Sequence, residues 1–247
     1  MSKSDIYGIT DVGRKRETNE DTFYLDIDNK MCIVADGMGG HNAGEVASKK
    51  AIEFISKSFE NIPLKEIENH PEQINALLLQ IVTDANNKIY ELGSAVPEYN
   101  GMGCTFAMAY INGNTLHTVH IGDARCYVSD KSKIIQLGDD HSYVAVAVKA
   151  GLMTKEEARK SSEKNKITMA VGISDKIEPE YIKHELQKDD TILLCSDGLW
   201  DMLSDDDIFK ILNMDKSAKE ICHKLVDEAN NAGGKDNITV IVVKDIL

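Results

Sequence analysis

Residues 104–121 read CTFAMAYINGNTLHTVHI, two apolar runs separated by Asn112 and Gly113. Apolar and β-branched runs favour pleated strands, and Asn-Gly takes the positive φ angles of a tight reversal, so the stretch predicts an antiparallel hairpin. Runs of the same kind lie on either side: IYGIT (6–10), DTFYLDI (21–27), KMCIVAD (30–36), ARCYVSD (124–130), TILLCSD (191–197) and ITVIVV (238–243). Asp28 to Lys30 supplies a second reversal between two of them. Between these runs, apolar residues recur at helical spacing over Ala43 to about Phe59 and Glu72 to Leu92, which predicts two amphipathic helices laid on sheet. Further helices are expected at Ser142–Ala150, Thr154–Ser161, Asp205–Leu212 and Ser217–Ala232. Helices set apart from hairpin-rich runs make an α+β plan.

The 247 residues carry no repeat or Pro/Ser-rich linker and read as one domain over 1–247. The segment from about 138 to 176, rich in Lys, Ser and Glu, is the least regular part and is expected to cross the surface as a mobile excursion or an ordinary solvated helix pair. Acidic residues number 41 against 28 basic ones, a net charge of −13 that repels nucleic acid and anionic lipid. No apolar run reaches the roughly 20 residues of a membrane span or forms a signal peptide, so a cytoplasmic protein is expected. Cys32, Cys104, Cys126, Cys195 and Cys222 stand singly in apolar runs, with no CxxC pair, and read as buried reduced thiols rather than zinc ligands or disulfides.

Aspartate is disfavoured inside strands, yet apolar runs end in one at Asp36, Asp123 and Asp197. A carboxylate at a sheet rim, beside a Gly that lets the chain turn, suits a hard cation, although a single such residue equally caps a helix or opens a turn. Glu20-Asp21 and Asp236-Asn237 add further rim acids. If several converge, their repulsion forces protonation unless a divalent cation sits among them, and all-oxygen donors point to Mg²⁺ or Mn²⁺.

Seven segments resemble, in order, the metal-dependent protein phosphatases of type 2C, above all the bacterial serine/threonine phosphatases. They are RETNED (16–21), VADGMGGHNAGEVAS (34–48), GMGCT (101–105), GDAR (122–125), DDHS (139–142), LLCSDGLWD (193–201) and GGKDNITVIVV (233–243). The resemblance implies two packed antiparallel sheets flanked by helices on both sides. It implies that Asp36 bridges two metal ions with the Gly37 carbonyl on the second, that Asp197 and Asp236 ligate the first, and that Asp123 helps hold a weaker third. Asp21 would reach the metals directly or through water, with Glu20 and Asn237 in support, and Arg16 would clamp the substrate phosphate. The implied reaction is hydrolysis of phosphoserine and phosphothreonine by direct attack of a metal-bridging water. Phosphorylated proteins and a cognate serine/threonine kinase are the implied partners, and a monomer is expected. An inactive phosphatase-like binding module and a phosphohydrolase of small phosphoesters are the alternatives.

Two departures stand out. Many eukaryotic members carry a histidine after the bridging Asp-Gly, where this chain has Met38, so His41 or metal-bound water is left as proton donor. Related bacterial enzymes often carry arginines where EKNKITMAVG (163–172) has Lys and Met, in the segment the family uses as a flap. His141 reads as structural. No cysteine-arginine phosphatase loop, aspartyl-phosphate motif, Walker loop or GxSxG elbow is present.

Overall fold

The computed structural model describes residues 4–40, 43–62 and 70–246. Two five-stranded sheets, antiparallel throughout, face each other. One runs β1 (Asp5–Asp11), β10 (Ile238–Lys244), β9 (Thr191–Cys195), β6 (Arg125–Ser129) and β7 (Ile134–Leu137) across the sheet. The other runs β2 (Asp21–Asp26), β3 (Met31–Met38), β4 (Gly103–Asn112), β5 (Thr115–Ile121) and β8 (Glu180–Glu185). The Asn112-Gly113 reversal joins β4 to β5 with Asn112 opposite Thr115, and Gly113 takes φ +60° as the turn demands.

Strand periodicity sorts the side chains into three apolar layers. Cys32 and Val34 of β3, Ala107 and Ala109 of β4, Cys126 and Val128 of β6 and Ile241 and Val243 of β10 fill the space between the sheets. Met31, Ile33, Phe106 and Met108 face outward onto α1 (Ala43–Glu60) and α2 (Ile74–Ala95). Leu193, Cys195, Val240 and Val242 face outward on the other side, onto α5 (Asp197–Trp200), α6 (Asp205–Leu212) and α7 (Ala218–Asn231). Central strands are covered on both faces, which is why their sequences are continuously apolar instead of alternating. The sandwich is therefore helix, sheet, sheet, helix. All five cysteines are buried free thiols, and burial pushes Cys32 and Cys222 up to about 12.

The region 138–176 contains the predicted helix pair, α3 (Tyr143–Lys149) and α4 (Lys155–Lys160). Ser142 caps α3 by accepting from the Ala145 N–H, and Thr154 with Glu157 closes a reciprocal capping box on α4. The segment's far end returns to the core, where buried Asn86 accepts from the Gly172 N–H and donates to the Ser174 carbonyl. Three elements escaped the sequence reading: β7, β8 and the one-turn α5. The first two are edge strands only partly buried, and neither stands out: IIQL is only four residues long and EYIKHE is mostly polar. No helix among the described residues is long and apolar enough to cross a membrane.

Candidate active site

In an antiparallel sandwich the starts of some strands lie beside the ends of their neighbours. Here β3, β5 and β9 end, and β2, β6 and β10 begin, at one rim. Asp21 and Asp36 are direct cross-strand partners there. They continue the inward-facing rows Asp21, Phe23, Leu25 and Cys32, Val34, Asp36, so their carboxylates point into the mouth of the inter-sheet space. Thr239, two residues before inward-facing Ile241, and Ser196, two after Leu194, share that orientation. Both hydroxyls donate to Asp21 Oδ2 at 2.7 Å, and both residues are fully buried.

Asp197 opens α5 directly after Ser196, and Asp123 follows Gly122 at the end of β5. Asp123 is buried and is fixed from behind: Trp200 Nε1 donates to its carbonyl at 3.0 Å. The Arg125 guanidinium stacks on the Trp200 ring at 3.7 Å and forms a two-pronged ion pair with Asp140, at 2.9 and 2.6 Å. Gly37 lies where β3 crosses α1. A Cβ there would stand 2.1 Å from the Gly44 carbonyl and 2.7 Å from that of Glu20, so only glycine permits the approach.

The loop between β1 and β2 is tied to the same rim by Asn237. Its side chain accepts from the Glu20 N–H at 2.9 Å and donates to the carbonyls of Val12 and Thr18. That clamp brings Arg16 across to Asp236, where Nη2 donates to Oδ2 at 2.7 Å, with the guanidinium about half exposed. Burial opposes its charge, but Asp236, Asp36 and Glu20 together raise its pKa above the ordinary value.

Repulsion among the acids is plain in their titration. Burial first, and neighbouring carboxylates after it, hold Asp36 and Asp197 well above the usual carboxylate range. Burial lifts Asp21 to about 6, partly offset by the Thr239 and Ser196 hydroxyls. Burial and then Asp140 lift Asp123 to about 7 against the pull of Arg125. Glu20 is raised by burial while Arg16 draws it down. The aspartates interact around Asp36, but among the described residues no three bring ligand atoms within 4.8 Å of one another. Like charges in a shared mouth separate, and Asp236 is held by Arg16.

A hard divalent cation fits this donor set. The buried Asp21 Oδ1 and Asp197 Oδ1 have no hydrogen-bond partner, every side-chain donor is oxygen, and the carboxylates repel in the absence of positive charge. The structure thus gathers Arg16, Glu20, Asp21, Asp36, Gly37, Asp123, Asp197, Asp236 and Asn237 at one rim. His41 lies outside the described residues. His141 accepts from the Gly122 N–H through Nδ1 at 3.2 Å, in keeping with a structural role. Ser196, Thr239 and Trp200 are positioning residues the sequence reading missed. For Ser196 and Thr239 the available signal was a polar residue continuing the inward row of an otherwise apolar strand.

The family model for protein phosphatase 2C matches residues 13–233, leaving Asp236 and β10 beyond the matched span. Protein phosphatase PhpP of Streptococcus pneumoniae is 39% identical over 242 residues, covering 97% of this chain and 96% of the relative. The serine/threonine phosphatase Stp1 of Staphylococcus aureus superposes with a TM-score of 0.91 at 32% identity, covering 98% of this chain and 95% of that one. The catalytic domain of the serine/threonine protein phosphatase PstP, solved with two manganese ions, gives a TM-score of 0.85 at 33% identity, covering 98% and 97%. From residue 13 through the rim aspartates to the helices behind them, the chain belongs to the protein phosphatase 2C family.

Proposed function

We propose that the protein is a metal-dependent protein serine/threonine phosphatase, hydrolysing phosphoserine and phosphothreonine by direct attack of water on phosphorus. One observation carries this reading: five rim aspartates interact in one partly buried mouth with a single arginine at its edge. The names of the relatives, protein phosphatase and serine/threonine phosphatase, support it.

Asp21, Asp36, Asp123, Asp197 and Asp236, with the Gly37 carbonyl, would hold Mg²⁺ or Mn²⁺ as two core ions and a weaker third. When bound, such ions supply Lewis acidity, making a water nucleophilic at neutral pH and offsetting phosphoryl charge. The chain's own residues do the rest. Ser196 and Thr239 fix the Asp21 carboxylate, leaving its second oxygen free to ligate. Asn237 fixes the backbone on both sides of Arg16, so the guanidinium is presented beside the carboxylates and not among them. Exposed on one side, it offers its fork to a phosphate dianion, which competes with Asp236 for it. His41 and metal-bound water are the two candidate proton donors to the departing serine or threonine oxygen.

Substrate choice we place in 138–176, which exposes Tyr143 and Val146 on α3 and Leu152 in the turn between α3 and α4. The five reduced thiols fit a cytoplasmic location, and a serine/threonine kinase would supply the substrates, as proteins, to the monomeric enzyme.

The test is phosphate release from phosphoserine and phosphothreonine peptides with Mn²⁺. Turnover abolished by EDTA and restored by Mn²⁺ is expected; none on any phosphopeptide would end the proposal. Arg16→Ala should lower kcat/KM about 10- to 100-fold, since charge-assisted hydrogen bonds contribute about 1.5–3 kcal/mol. Arg16→Lys should recover only part, because an ammonium keeps the charge but not the fork. Equal kcat/KM in wild type and Arg16→Ala would remove the phosphate clamp from the scheme.

A further inference from the structure

A second cluster of metal-ligating side chains stands outside the aspartate rim. His120, the penultimate residue of β5, pairs across the ladder with Glu180, the first of β8. The His141 ring stacks on that of His120 with centroids 4.9 Å apart. One ring nitrogen from each histidine and one Glu180 carboxylate oxygen lie within 4.8 Å of one another.

The hydrogen bonds show which lone pairs are free. His120 Nε2 lies 3.0 Å from the Asp139 carbonyl and 3.4 Å from Glu180 Oε2, so that nitrogen donates and Nδ1 carries the lone pair. His120 is only 4% exposed, and Nδ1 has no partner. A buried acceptor left unsatisfied is costly, and a cation would satisfy it. Gly138 packs directly against the pair: a Cβ there would stand 2.3 Å from His120 Cε1 and 2.9 Å from both His120 Nδ1 and Glu180 Oε2, so only glycine permits this approach. The carboxylates of nearby Asp139 and Asp140 are engaged elsewhere, with Lys149 and Arg125, while the Asp139 N–H donates to Glu180 Oε2 at 3.2 Å.

We infer that His120, His141 and Glu180 form a second cation site that takes Zn²⁺ or a similar borderline ion in preference to Mg²⁺. Two imidazoles and one carboxylate suit zinc, with the remaining position open to water, whereas Mg²⁺ prefers oxygen donors throughout. Tetrahedral zinc needs ligand atoms about 3.3 Å apart, a contraction that the partly exposed Glu180 side chain can supply by rotation. Occupation has a structural consequence. Neutral His141 has one lone pair, now accepting from Gly122 N–H, so ligating a cation releases that hydrogen bond in the turn before Asp123. The site therefore joins the entry to α3 with the Asp123 turn.

The experiment titrates EDTA-stripped, desalted protein with Co²⁺ in excess Mg²⁺, followed by displacement with Zn²⁺. Intense visible d–d absorption, the mark of tetrahedral nitrogen-containing ligation, is expected for one equivalent and should be bleached by Zn²⁺. Glu180→Gln and His141→Asn should weaken that binding more than about 100-fold, beyond the 10- to 100-fold cost of losing a merely supporting group. Circular dichroism checks that each variant is folded, and Glu180→Gln, at a half-exposed position, provides the variant least disruptive to the core. Absence of the band, or a band of equal strength and affinity in Glu180→Gln, would overturn the site. An ion seated on the aspartates would give the second result.

Discussion

Asp36→Asn is expected to lower Mn²⁺-dependent turnover about 1000-fold or more and, in EDTA at pH 8, to make the protein more stable than wild type. The two effects have one cause. Asp36 stands between Asp21 and Asp197, and its carboxyl is raised by burial and by four other aspartates, so its ionised form is unfavourable in the metal-free fold. Each unit of such a rise costs about 1.4 kcal/mol at a pH where the unfolded carboxyl is ionised. Asparagine removes that cost and keeps the shape and hydrogen bonding. With metal the sign reverses, because the residue proposed to join two ions loses its charge, and loss of about 4 kcal/mol of transition-state stabilisation is a factor of 1000. For a chain of this size each kcal/mol moves Tm by about 2–4 °C. Phosphopeptide turnover in Mn²⁺ and thermal unfolding in EDTA check both halves. Retained turnover, or a Tm in EDTA below wild type, would remove Asp36 from the centre of the site.

The sandwich was legible because the physics of strands is local. An Asn-Gly reversal fixed the β4–β5 hairpin, and uninterrupted apolar runs such as ILLC and TVIVV marked strands covered on both faces. What escaped, β7 and β8, are edge strands that pair with β6 and β5 but set only a few apolar side chains, such as Leu137 and Ile182, into the core. The sheet order, with β10 between β1 and β9, depends on contacts far apart in sequence and has no local signature.

Legibility of the site follows the same divide. An Asp ending an apolar run is conspicuous, so Asp36, Asp123 and Asp197 stood out individually. Their convergence did not, because it requires knowing that β3, β5 and β9 end at one rim; the ordered family motifs supplied that expectation. Ser196 and Thr239 were missed because a lone hydroxyl in a strand is unremarkable until the acceptor it serves is known. His120 and Glu180 are juxtaposed only by the register of an edge strand the sequence did not reveal.

Metal-free stability is expected to fall as pH rises from about 4 to about 7, and the stabilisation given by Mn²⁺ to grow over the same interval. The ordinary aspartate value is 3.8, and the folded protein lifts Asp21 to about 6 and Asp123 to about 7. Between those limits the folded state holds more protons than the unfolded chain, so unfolding free energy decreases with rising pH. Above about 7 both states are ionised at these residues and their contribution is flat. For Asp21, 94% buried, a rise of about 2 units corresponds to about 3 kcal/mol lost across the window. Cations need the deprotonated carboxylates, so binding at pH 6 must expel protons that Asp21 and Asp123 have already lost at pH 8. Thermal unfolding at pH 5, 6, 7 and 8, with EDTA and with Mn²⁺, isolates the effect as the difference between the two series, in which groups remote from the site cancel. A small difference at pH 5 widening to pH 8 is the expected pattern. Calorimetry in buffers of different ionisation enthalpy should show net proton release at pH 6 that shrinks towards pH 8 as Asp21 and Asp123 ionise. A difference independent of pH, with no proton release, would mean that the acids are already ionised without metal, and that Arg16 and its surroundings balance their charge.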